Sequence, residues 1–193
     1  MSMSIRVESD LVSSLARGAH DAGLAALLGG NLFGRWAMHP ALAEVSDERE
    51  RGKVVNHAWR RYGTVNSLGL AAVVAGWLGA RAGETQNRWL SPRERRLARA
   101  KDVTVLAVAV TGVASAVEGV RFGRMAPEGA VPLRDGNEPA PDTPPEAARA
   151  KRVLKSLGRA SAVTQLALLG VEAALAQASY RRPPARRFLR RTY

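Results

Sequence analysis

Few residues in this chain can do chemistry, and their spacing narrows what that chemistry is. The 193 residues hold three His and no Cys. Without Cys there is no disulfide framework, no thiol catalysis and no Cys-ligated zinc or iron–sulfur site. His20 and His39 fall on one helical segment, roughly 28 Å apart at about 1.5 Å of rise per residue. They cannot ligate one haem iron within a monomer. A metal site from His39, His57 and Glu118 is conceivable, but His39 stands before Pro40 and reads equally well as a helix-end residue. No P-loop, dinucleotide fingerprint, nucleophile elbow or HExxH occurs. The residues therefore specify neither a reaction nor a cofactor.

What remains is a set of polar side chains set into apolar surroundings: His20, Asn31, Arg35, Asn66, Glu118, Gln165 and Glu172. At about 100° per residue each lies on a stripe. His20, Asn31 and Arg35 lie near one face of the first helix, and Asn66 shares a face with Trp59, Val73 and Trp77. Thr104, Thr111, Ser115 and Glu118 line the third, and Ser161, Gln165, Glu172 and Ser179 the fourth. Polar groups facing lipid carry a free-energy penalty, so four such stripes should face one another as an inward seam. The seam either ties the helices together or lines a ligand cavity. Arg35 and Glu118 share a depth in antiparallel helices and are the expected ion pair. Glu172 has no cation on its own face, which leaves uptake of a proton as its expected neutralisation.

The elements that position these residues follow from the charge distribution. Hydrophobic residues make up 46% of the chain and charged residues 24%, with a formal net charge of +12. The charges are unevenly spread. No charge lies between Arg61 and Arg81, and none within 103–117. Glu172 is the one charge between Arg159 and Arg181, and Asp21 the one between Arg17 and Arg35. A soluble helix shows charge on its outer face at every turn, and roughly 20 apolar residues cross a bilayer. The reading is an all-α, antiparallel transmembrane four-helix bundle over residues 1–180. Its spans lie near 18–38, 62–80, 103–121 and 160–180, with helices that extend beyond the bilayer. The competing reading is a soluble basic helical bundle that binds nucleic acid through its C-terminal Arg tail.

Helix boundaries are written in local signals. Ser91-Pro92-Arg93-Glu94 reads as a capping box, and Thr143-Pro144-Pro145-Glu146 repeats the pattern. Ser46 before Asp47 and Glu48 starts another helix, and Ser9 or Asp10 the first. These signals predict helices near 9–38, 47–81, 92–123 and 144–180, with Pro40, Gly83, Pro127 and Pro183 closing them. Residues 124–143, rich in Pro and Gly, read as a flexible loop from which no packed core can be built. Residues 181–193 form a basic tail with six Arg. The Lys/Arg bias, 15 against 13 with several of the 13 in a long loop, favours a cell-membrane protein with both termini cytoplasmic. Gly30 and Gly34 form a GxxxG, a close-packing device through which a homo-oligomer could assemble.

The layout resembles that of four-span bacterial membrane proteins of the anthrone oxygenase-like group and their uncharacterised relatives. The residues that carry it are LLGGNLFGRWAMHPAL, the charged helix entering the second span through WRRYGTVNSLG, and LGRASAVTQLALLG at the start of the fourth. The resemblance implies at most a membrane oxidase with an aromatic-substrate cavity, and it carries no catalytic residue across. The Arg and Ala bias resembles that of a high-GC bacterium. The expected partners are the lipid bilayer and a small apolar ligand, with nucleic acid disfavoured.

Overall fold

A computed structural model describes residues 3–83 and 91–180. Four long helices account for most of them: α1 (Met3–Phe33), α2 (Glu48–Gly83), α3 (Pro92–Gly123) and α4 (Pro145–Tyr180). Ala, Leu and Val predominate through their middles, and the start signals sit where the chain enters each one. At α3 the capping box forms as read: Ser91 Oγ accepts from the Glu94 N–H, and Glu94 Oε2 accepts from the Ser91 N–H at 2.8 Å. At α2 the cap is one residue later than expected. Asp47, rather than Ser46, accepts the Glu50 N–H at 2.8 Å. At α4 the Thr143 hydroxyl does not cap; it donates to the buried Pro132 carbonyl at 2.7 Å. Pro144 and Pro145 lack N–H groups and so leave fewer donors to cap.

The first helix departs most from its reading. It begins at Met3, ahead of Ser9, and Pro40 does not close it. A π-helical turn, Gly34–Met38, shifts the hydrogen-bond register just before the proline. Helical turns then continue through His39–Ala41 and Leu42–Glu44 until Val45 leaves in an extended conformation.

Contacts fix which helices meet: Gly23, Gly30 and Gly34 of α1 lie against Gly69, Tyr62 and Trp59 of α2. Thr111 meets Thr164 and Arg121 meets Glu146 along α3 and α4. Gly112 lies under Leu70, while Asp102 meets Arg81, along α2 and α3. Asn31 reaches Gly158 and His20 reaches Glu172 between α1 and α4. The order around the axis is thus α1, α2, α3, α4, which puts α1 diagonal to α3.

Among the described residues three helices, α2, α3 and α4, are long and apolar enough to cross a membrane. The expected first span is not among them. Within 18–38 it carries His20, Asp21, Asn31 and Arg35, which lower its mean hydropathy.

Two apolar clusters fill the interior. One joins Leu24, Leu27, Val73, Val105, Val108 and Leu168 across all four helices. The other lies at the end where α1 passes into α2, and it joins Leu42, Val55, Phe122, Val131, Leu133, Ala147 and Ala150. Val131 and Leu133 come from the segment that composition assigns no core, so that expectation is corrected. The segment is irregular, as read, yet its backbone is held by groups from elsewhere. Leu133 N–H donates to the Glu48 carbonyl at 3.0 Å, and Gly136 N–H to the His39 carbonyl at 3.0 Å. The basic tail 181–193 and the short connection 84–90 lie outside the described residues.

Candidate functional site

The candidate polar residues differ in burial. His20 and Gln165 are buried, and Asn31, Arg35, Asn66, Glu118 and Glu172 are half-buried. They do not gather into one site; they divide between two levels of the seam.

At the first level, small residues bring α1 and α2 close enough for a side chain to reach backbone. A Cβ at Gly76 would overlap Ala16 and crowd His20. With none there, the His20 ring slips under α2, and its Nδ1 lies 2.6 Å from the Val73 carbonyl oxygen. A carbonyl can only accept, so Nδ1 carries the proton. The opposite nitrogen, Nε2, abuts a Glu172 carboxylate oxygen, with His20 only 1% exposed. The same oxygen of Glu172 lies 3.2 Å from the Lys101 ammonium. Asp21 completes the level from the bundle's exterior: ligand atoms of His20, Asp21 and Glu172 all lie within 4.8 Å of one another. Beside it, Asp102 joins the Arg81 guanidinium and accepts the Trp77 indole N–H at 2.9 Å.

Glu172 is therefore not without a cation. Its own helix offers none on that face, whereas Lys101 arrives from α3. Nothing in the stripe pattern marks Lys101, which sits one residue before Asp102 at the edge of the apolar stretch.

At the second level, the Arg35–Glu118 pair is not formed. The diagonal placement of α1 and α3 separates them, and Glu118 instead pairs with Arg121 one turn along at 3.7 Å. Arg35 Nε is buried without a hydrogen-bond partner, as are Ser115 Oγ and Gln165 Oε1. Asn31 donates to the Gly158 carbonyl at 3.2 Å, tying α1 to α4. Thr111 and Thr164 hydroxyls approach to 3.3 Å, tying α3 to α4.

Beyond this level the helix ends carry a closed polar cap, and the His39–His57–Glu118 metal site is overturned there. Both His39 nitrogens are engaged: Nε2 accepts the Trp59 indole N–H at 2.9 Å, and Nδ1 lies 2.8 Å from Asn137 Oδ1. The indole can only donate, so Nδ1 holds the ring's proton and gives it to Asn137. No lone pair is left for a metal, and His57 is exposed. Burial holds the His39 imidazole down at about 4, with the Asn137 bond opposing the shift. Lys151, buried over the Phe122 ring at 5.4 Å, is likewise pushed down by burial to about 8.

The cap also uses residues that sequence reasoning missed. Arg51 donates to the Val45 carbonyl at 2.6 Å and the Arg134 carbonyl at 2.7 Å. Asn56 donates to the Gly129 carbonyl at 2.6 Å. The signal for either would have been a polar side chain on the inward face of α2, before its apolar stretch begins.

The GxxxG glycines are covered within the chain. Gly30 lies under the Tyr62 ring and Gly34 under Trp59. An oligomer through them would have to displace both rings. A shallow open depression on α4, lined by Arg152, Val153, Ser156, Leu157 and Ala160, contains none of the seam residues.

Fold and site together show that the described residues are helical, with four long helices, three of them long and apolar enough to cross a membrane, and an ionisable cluster between them. No family model, curated protein or solved structure matches the chain.

Proposed function

We propose that this chain is a multi-pass integral membrane protein, an antiparallel transmembrane four-helix bundle whose polar seam binds a small ligand. The observation that carries it is the outward face of α3. Val103, Leu106, Val110, Val113, Val117 and Val120 recur at helical spacing, and each is more than half exposed. A contiguous apolar stripe of this length belongs against lipid or a partner. Its opposite face is where the Thr and Ser hydroxyls lie. Polar inside and apolar outside is the arrangement a bilayer selects.

The helix α1 lacks a stretch as apolar as those of the other three and completes the bundle against α2. The ligand reading is supported by Arg35 Nε, Ser115 Oγ and Gln165 Oε1, buried polar atoms with unused hydrogen-bonding capacity. They suit a small, largely apolar molecule with a polar end. The aromatic substrate implied by the resemblance to anthrone oxygenase-like proteins would need space near Leu24, Val73, Val108 and Leu168, all of which are packed and buried. The Lys/Arg bias favours cytoplasmic termini and an external cap.

Fractionation tests the reading. The protein should stay with membranes through carbonate and high salt, and release by salt alone would refute it. In intact cells, Asp142→Cys, in the exposed part of the cap, should react with an impermeant maleimide; protection until lysis would reverse the orientation.

A further inference from the structure

The arrangement around His20 has an electrostatic requirement that the protein's own groups meet only in part. The Val73 carbonyl fixes the proton on Nδ1 and leaves Nε2 as the free nitrogen. That nitrogen is buried and meets no polar atom other than a Glu172 carboxylate oxygen, which itself faces the Lys101 ammonium at 3.2 Å. A nitrogen lone pair against a carboxylate oxygen repels. A positive species between or beside them removes the repulsion, and Asp21 adds a second carboxylate to the same space. Lys101 supplies one positive charge against two negative ones.

We propose that His20 Nε2, Asp21 and Glu172 form a binding site for one divalent transition-metal ion, of the zinc, cobalt or manganese class. One imidazole with two carboxylates is a borderline-hard donor set that such ions accept. The Nδ1–H bond to a backbone carbonyl orients the ring as the outer partners of metal-ligating histidines do. Asp21 is exposed while His20 is fully buried, so the site has one open side through which an ion arrives. The Lys101 ammonium, 3.2 Å from Glu172, competes for the same carboxylate, and a bound dication displaces it. The inference goes beyond membrane residence and needs only the packing of α1 against α2 and α4.

Cobalt(II) titration of the purified full-length chain tests it, because bound cobalt gives visible d–d absorption independent of any activity. Binding should saturate at one ion per chain. Asp21→Asn and Glu172→Gln should each weaken it at least tenfold with unchanged helical circular dichroism, and Lys101→Met should tighten it. His57→Ala should leave it unaltered. Absence of stoichiometric absorption in the folded protein would overturn the site and leave His20 and Glu172 in direct contact. Binding unaffected by Asp21→Asn and Glu172→Gln would overturn it too. Cobalt bound in the expected manner by protein that needs no detergent would uphold the site while refuting the membrane reading.

Discussion

His39 shows how a single side chain sets a pH limit on the cap. Its ring is neutral because the Trp59 N–H already occupies Nε2 and burial penalises a charge there. The pKa in the folded protein is about 4, against 6.5 for the ordinary imidazole. Between those values the unfolded chain binds a proton that the folded chain does not. Stability is therefore full above about pH 6.5 and falls as pH drops toward 4, by up to roughly 3 kcal/mol in all. Thermal denaturation of the detergent-solubilised protein at pH 7 and pH 4.5 should show that loss. His39→Gln, which keeps a hydrogen-bonding side chain but cannot titrate, should flatten the acid limb. An equally steep acid limb in the variant would place the dependence elsewhere.

The helices were the most legible elements, because their signals are local. Ser91, Pro92 and Glu94 stand within one turn of each other, and α3 runs from Pro92 to Gly123 as they predict. The segment 124–143 was misread for the opposite reason. Its Pro and Gly content reports the absence of periodicity, not the absence of partners. Those partners are Glu48, Arg51 and Asn56, more than 70 residues earlier in the chain. The angular placement of the seam residues along each helix could be read from the sequence, but their pairing could not. Arg35 and Glu118 share a depth, and only the order of the helices around the axis separates them. Glycine substitutions test the docking of the loop on α2. A Cβ at Gly52 would overlap the Val131 backbone carbonyl, whereas one at Gly63 meets nothing within 4 Å. Gly52→Ala should destabilise by roughly 1–3 kcal/mol through overpacking. Gly63→Ala, in the same helix, should stabilise by up to about 1 kcal/mol. Matching effects in thermal melts would mean that the loop does not dock at Gly52.

At the scale of the whole molecule, two environments meet in one chain. The cap is built as a water-soluble core is, with Val131, Leu133 and Phe122 inside and Pro141 and Asp142 outside. The middle is apolar on its outer side as well as in its core of Leu24, Val73, Val108 and Leu168. Leu106, Val110, Val113 and Val117 point away from the protein, while Gln165, Ser161 and His20 are buried. An exposed apolar stripe of this length marks a surface that meets lipid or a partner. The chain has no native Cys, so single cysteines can be introduced and spin-labelled without background. The direct measurement is paramagnetic-relaxation accessibility in proteoliposomes for labels at Leu106, Val110, Val113 and Val117, with Asp142 as the water-facing reference. The membrane-embedded bundle predicts high collision with oxygen and low collision with a water-soluble nickel chelate along the whole stripe, and the reverse at Asp142. Nickel accessibility along the stripe equal to that at Asp142 would contradict it.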